Sequence, residues 1–230
     1  MFVGMEKLSL VDYDDKISCV LFKPGCNFAC PFCHNSPLVI DAKENIEIPF
    51  ETILNYLTKR KGSIDAVVIS GGEPTLDPEL KNEIIAIKKL GFLIKLDTNG
   101  TNPKLIKELI DDRLIDYVAM DIKNSPKKYP LTAGVKTIDF SKIEKSIRLL
   151  MTSNIDYEFR TTLVNEFHDE ESINEMGKLL LGAKRMYLQL FKDRGTNIAS
   201  NLHEVTKEKA LVYKSILVKY NINKVELRGY

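Results

Sequence analysis

The chain has 230 residues, enough for one large domain or two small ones. Apolar residues make up 44% and charged residues 28%, a globular balance that excludes collagen, coiled coil and extended disorder. With 33 basic against 32 acidic residues the net charge is +1 and the signs are interspersed, so neither a nucleic-acid face nor a charged tail is expected. No apolar run approaches the roughly 20 residues that cross a bilayer. Met1–Asp12 mixes charges with short apolar runs and lacks a signal-peptide core, so a soluble cytoplasmic protein without a membrane partner is expected.

In chain order, strand-like runs fall at Ile17–Phe22, Ala66–Ser70, Phe92–Asp97, Ile115–Asp121, Tyr157–Val164 and Met186–Phe191, with a short last one at Lys224–Leu227. Helical spacing fills the gaps. Phe50, Ile53, Leu54 and Leu57 form a stripe after Pro49. Asp77-Pro78 reads as the opening of the next helix, striped by Leu80, Ile84 and Ile87 and closed by Gly91. Asn102-Pro103 repeats that opening before Leu105, Ile106 and Leu109, and Phe140–Met151, Glu170–Leu181 and Thr206–Tyr220 supply three more helices. Asn124–Thr137 is the one long irregular stretch. Strict β/α alternation implies a parallel sheet with right-handed crossovers. Six units fall short of a full eight-stranded barrel of about 250 residues. A partial barrel and an open doubly wound sheet both remain, and either places its site beyond the carboxyl ends of the strands.

Candidate residues fall there repeatedly. After the first run comes Pro24-Gly25-Cys26-Asn27-Phe28-Ala29-Cys30-Pro31-Phe32-Cys33-His34-Asn35, with thiols spaced C-x3-C-x2-C. Three soft thiolates on one loop suit an iron–sulfur cluster or zinc. Closed structural zinc needs a fourth ligand, for which only His34 is near. Three cysteines on a four-iron cube leave one iron open to a substrate. Cys19 lies inside a strand and reads as a core thiol. His168 and His203 fall in polar loops and read as solvated.

This loop resembles the hallmark of the radical S-adenosylmethionine (SAM) superfamily, with Phe32 as its aromatic position. Ser70-Gly71-Gly72-Glu73-Pro74 resembles that family's GGEP motif, where a double glycine allows close backbone approach to a ligand ammonium. Asp97-Thr98-Asn99-Gly100 and Asp121-Ile122-Lys123 are similar to the D-T-N-G and D-x-K motifs of activating enzymes for glycyl-radical enzymes. Ser9-Leu10-Val11-Asp12-Tyr13 and Cys33-His34-Asn35 match the same branch.

The resemblance implies a single domain over residues 1–230, folded as a partial (β/α)6 TIM-like barrel. It implies an oxidoreductase holding one [4Fe–4S] cluster on Cys26, Cys30 and Cys33. SAM would contact Phe32, Cys33, His34, Gly71, Gly72, Glu73, Asp97, Thr98, Asn99, Asp121, Ile122, Lys123, Arg160, Gln189 and Lys192. Asp97, Thr98 and Asp121 would hold a monovalent cation against the SAM carboxylate. Arg160 is placed to pair with a ligand carboxylate, with Glu73 or with Asp121. The implied partners are a glycyl-radical enzyme as protein substrate and a low-potential flavodoxin or ferredoxin as electron donor, with Asn124–Thr137 a candidate docking rim. Two features depart from the branch: Lys192-Asp193-Arg194-Gly195 stands where a histidine precedes an acidic-x-Gly, and Thr161–Phe167 lacks a clear glycine-rich adenine motif. The nearer rival is a radical SAM enzyme acting on a small molecule or another peptide, and the more distant one a non-catalytic iron–sulfur or zinc module.

Overall fold

The computed structural model describes residues 1–40, 45–193 and 195–230, so Arg194 lies outside the described residues. The strands are β1 (Gly4–Ser9), β2 (Ser18–Lys23), β3 (Ala66–Gly71), β4 (Leu93–Thr98), β5 (Tyr117–Asp121), β6 (Asp156–Leu163), β7 (Arg185–Leu190) and β8 (Lys224–Arg228). They hydrogen-bond in chain order, with β1 and β8 at the edges. A doubly wound sheet requires a reversal of strand order. There is none, so the winding is that of a partial, unclosed barrel.

The seven expected runs are β2 to β8, each bounded within two residues of its expectation. Where pairing is described, β2–β3, β3–β4, β6–β7 and β7–β8 are parallel. β3 and β5 are buried almost end to end, which explains why they read as continuous apolar runs. β1 is a correction to the expected order. It pairs antiparallel with β2 at the sheet edge, and its exposed Glu6, Lys7 and Leu8 leave no alternation to detect.

The helices are α1 (Ser36–Ile40), α2 (Phe50–Lys59), α3 (Leu80–Lys89), α4 (Pro103–Asp111), α5 (Tyr129–Ala133), α6 (Phe140–Thr152), α7 (Glu170–Leu179) and α8 (Lys207–Val218). Asn102 caps α4 through the Leu105 N–H at 3.2 Å, as its sequence position implied. α3 starts later than Asp77-Pro78 suggested, because Pro74–Leu76 forms a 3-10 turn first and Asp77 accepts from the Glu79 N–H at 2.9 Å. α5 lies within the stretch expected to be irregular; at five residues it is too short to show a period.

The residues group into two compact units. The first is Met1–Asn27 with Pro37–Ala119, the second Phe28–Ser36 with Met120–Tyr230. In the first, Val20, Ala66, Val68, Tyr117 and Ala119 pack with Tyr13 into one buried cluster. In the second, β6 and β8 are tied by the bidentate Arg228–Glu158 pair, with both contacts at 2.9 Å and the Arg228 guanidinium 3.4 Å over the Tyr187 ring. Among the described residues no helix is long and apolar enough to cross a membrane.

Candidate functional site

In the first unit the exits of β2, β3 and β4 interlock. Gly72 N–H donates to Lys23 O and Glu73 N–H to Gly25 O, both at 2.8 Å. Gly71 has φ 116°, and a Cβ there would meet Lys23 O at 2.3 Å. A Cβ on Gly72 would meet Gly25 O at 1.9 Å. The approach of two backbones therefore demands the double glycine on its own account, which the sequence reading had assigned to the approach of a ligand.

Glu73 is 1% exposed, and its carboxylate faces into the fold. It accepts from Thr75 N–H at 3.1 Å, the Thr75 hydroxyl at 2.5 Å, the Thr98 hydroxyl at 2.7 Å and Asn99 N–H at 2.6 Å. Burial pushes its pKa above the ordinary carboxylate value, against the opposing pull of these hydrogen bonds. Glu73 thus joins the β3 exit to the β4 exit. Asn99 carries the linkage on: its Nδ2 donates to Asn27 Oδ1 at 2.7 Å and lies 3.9 Å from Cys26 Sγ, while its Oδ1 accepts from the Thr101 N–H at 3.0 Å. Asp97 accepts from the Ser70 hydroxyl at 2.9 Å.

In the second unit, Cys33 N–H donates to Cys30 O at 2.9 Å, which turns the loop between the two thiols. Burial is the main cause that pushes both thiols up, and for Cys30 the neighbouring Lys123 opposes it. Asp121 lies between Lys123 Nζ at 2.9 Å and Arg160 Nε at 3.0 Å. Burial alone would raise the Asp121 pKa, but Lys123 and then Arg160 hold it at about 2. Asp121, one of the partners expected for Arg160, is bonded to it. The backbone of Ile122 is fixed on both sides: its N–H donates to Arg160 O at 2.8 Å and its O accepts from the Thr161 hydroxyl at 2.6 Å.

The remaining candidates are spread around the same loop. Phe32 packs on Phe167 with ring centroids 6.1 Å apart. His34 stacks on Phe191 at 5.8 Å, and its Nε2 donates to Lys192 O at 2.8 Å. Ala199 N–H donates to Pro31 O at 2.9 Å. Lys192 and Ala199 therefore meet the cysteine loop through backbone atoms and Thr196 through its hydroxyl, which donates to His34 O at 3.2 Å, while the Lys192 side chain is exposed. Gln189 is half-buried on β7, in register with Thr162 and Arg228.

His168 was missed by sequence reasoning. It was expected to be solvated and is 1% exposed. A neutral ring protonated on Nε2 donates to Lys123 O at 3.0 Å and accepts the Val164 N–H on Nδ1 at 3.1 Å. Burial lowers its pKa and keeps that neutral form. A lone histidine in a polar loop carries no sequence signal for such a role. His203 is exposed as expected and pairs with Glu166 at 2.6 Å. Cys19 is a buried core thiol whose pKa burial pushes up to about 12.

The donor set fits an iron–sulfur cluster. None of the three loop cysteines is in a disulfide. Burial pushes the Cys30 and Cys33 thiols up, so a metal centre held there would have to displace their protons. Asn99 adds an amide donor beside the Cys26 sulfur, the kind of hydrogen bond that tunes such clusters. Among the described residues no three His, Cys, Asp or Glu side chains converge to hold a single metal ion.

Three comparisons bear on these residues. A sequence profile of the Radical SAM superfamily matches residues 20–180. A Methanocaldococcus jannaschii protein described as a candidate glycyl-radical enzyme activating enzyme is 39% identical over 195 residues, covering 83% of this chain and 80% of its own length. The pyruvate formate-lyase-activating enzyme of Clostridium pasteurianum is 32% identical over 126 residues, which span 53% of this chain and about half, 51%, of that enzyme. Among solved structures, Streptococcus suis SuiB bound to S-adenosylmethionine superposes with a TM-score of 0.69 at 16% identity, covering 91% of this chain and 52% of SuiB. That last likeness concerns the fold alone.

Proposed function

The chain belongs to the radical SAM superfamily and is an enzyme of it, and on that premise we propose that it activates a glycyl-radical enzyme by reductive cleavage of SAM. Cys26, Cys30 and Cys33 would hold one [4Fe–4S] cluster, and with three protein thiolates an open position would remain for SAM. Bound there and reduced by one electron from a low-potential donor, the cluster would supply the electron that splits SAM into methionine and a 5′-deoxyadenosyl radical, the species that would take a hydrogen from a glycine Cα of the partner.

The chain's own residues bind, orient and exclude water. Gly71, Gly72 and Glu73 present their turn to the methionyl end of SAM, with Glu73 acting through the backbone it fixes. Asp97, Thr98 and Asp121 offer hard oxygens to a monovalent cation at the SAM carboxylate. Lys123 and Arg160 keep Asp121 ionised. Phe32, His34, Asn99, Ile122, Gln189 and Lys192 complete the contacts through side chain or backbone. A single domain over the whole chain, a flavodoxin or ferredoxin donor and a cytoplasmic location belong to the same reading.

The observation that carries it is the interlock of the motifs, with Gly72 and Glu73 bonded to the start of the cysteine loop and Asn99 beside Cys26.

The test is anaerobic reconstitution, reduction and assay of 5′-deoxyadenosine. The unaltered chain should take up about four irons and cleave SAM. Ala at Cys26, Cys30 or Cys33 should abolish both, while Cys19→Ala keeps both. Full iron retention in Cys30→Ala, or a reduced, loaded chain that leaves SAM intact, contradicts the reading.

A further inference from the structure

The cysteine loop is gripped by the segment that the sequence shows only as an irregular stretch. Ala29 N–H donates to Ala133 O, the last residue of α5, at 3.0 Å. The next residue, Gly134, has φ 67° and closes α5 by donating to Leu131 O at 3.2 Å. A Cβ on Gly134 would lie 2.0 Å from Ala29 O and 3.2 Å from Cys30 N. The same grip extends one residue back. The Phe28 ring meets the edge of the Tyr129 ring at 6.3 Å, and Tyr129 is fully buried and donates from its hydroxyl to Asp121 O at 3.3 Å. Residues 28–30 are thus seated on α5, and α5 in turn on the exit of β5.

We infer that Gly134 is a positioning residue for the cluster. It lets the end of α5 close directly on Ala29, and so fixes the approach of Cys30 before any metal binds. This rests on the reading of Cys30 as a cluster ligand. The physical reason is the cost of order. A free loop must lose its conformational entropy when the cluster forms, whereas a loop already seated does not. A side chain at 134 would have to push the backbone of Ala29 and Cys30 away, because neither atom it meets belongs to a flexible side chain. The left-handed φ alone does not require this contact. Gly182 also has a positive φ, at 80°, with nothing within 4 Å of its Cβ position.

That contrast supplies the experiment. Gly134→Ala and Gly182→Ala pay a similar backbone penalty, but only the first meets the cysteine loop. Two readouts are taken: hydrogen exchange of the Ala29 amide in the metal-free chain, and iron content with the electron paramagnetic resonance spectrum of the reduced cluster after anaerobic reconstitution. Gly134→Ala should exchange Ala29 several-fold faster, retain less iron and alter the spectrum. Gly182→Ala should match the unaltered chain in each. Phe28→Leu keeps most of the volume while removing the ring contact, and should show the same changes to a smaller extent even if Gly134→Ala does not fold. Full iron with an unchanged spectrum in Gly134→Ala, or in Phe28→Leu where the first variant is lost, overturns the inference. If the unaltered chain takes up no cluster while its Ala29 amide stays protected, the cluster assignment has failed and the positioning role falls with it.

Discussion

Glu73 receives four hydrogen bonds and keeps almost no surface, so its carboxylate stabilises the turn that carries it. Glu73→Ala would leave two hydroxyls and two amides facing an empty space. With about 1–3 kcal/mol for each buried group left unsatisfied, partly relieved by entering water, a net loss on the order of 3 kcal/mol is expected. Urea unfolding of the metal-free chain measures it, and an unchanged midpoint would show that the network carries no weight. Gly72→Ala should cost about 1–3 kcal/mol in the same assay, because the Cβ overlaps Gly25 O. Sequence reading located both residues but assigned their chemistry to a ligand. Glu-Pro-Thr is also the pattern of a carboxylate capping a short turn, and Glu73 does accept from Thr75 N–H. That signal was available in the sequence. The reach of the same carboxylate to Thr98 and Asn99 was not, since nothing in the sequence states how two strand exits approach.

The link between β2 and α3 shows the same logic one level up. Lys23 ends β2 with its ammonium 1% exposed, held by Asp77 at 2.6 Å and by Glu83, and 3.8 Å over the Phe2 ring. Burial would raise the Asp77 pKa, but the hydrogen bond from Lys23 pulls it down to about 2. An unfolded Asp titrates near about 3.9. The stability Asp77 contributes is therefore complete above that value and is lost as pH falls through it toward about 2. Asp77→Asn should flatten that part of the acid-unfolding curve of the metal-free chain, and identical curves for the two chains would contradict the assignment. Such a pair is invisible at the sequence level, where Lys23 is one polar residue ending an apolar run. The strands β2 to β8 were legible because burial on one or both faces writes itself as apolar runs. β1, α1 and α5 were not: an edge strand with exposed side chains and two five-residue helices are held by tertiary contacts rather than by a period of their own.

At the scale of the whole chain, winding in strand order places each motif at a strand exit, Cys26 after β2, Gly72 and Glu73 after β3, Asn99 after β4 and Lys123 after β5. This was legible because strand ends and motif spacing are both local properties. The two-unit division of the cysteine loop was not, because it depends on which distant segments each part of the loop touches: Cys26 lies near Asn99, whereas Ala29 is bonded to Ala133. Under the proposed function, the hydrogen donor is the partner that meets the SAM-derived radical. The most direct test of the central claim supplies that donor. The reconstituted, reduced enzyme is mixed with SAM and a glycyl-radical enzyme from the same organism, deuterated at its glycine Cα positions. The account predicts a doublet glycyl radical signal in electron paramagnetic resonance and deuterium in the 5′-deoxyadenosine released. Transfer from a small metabolite or another peptide, with none from any such glycine, would contradict it.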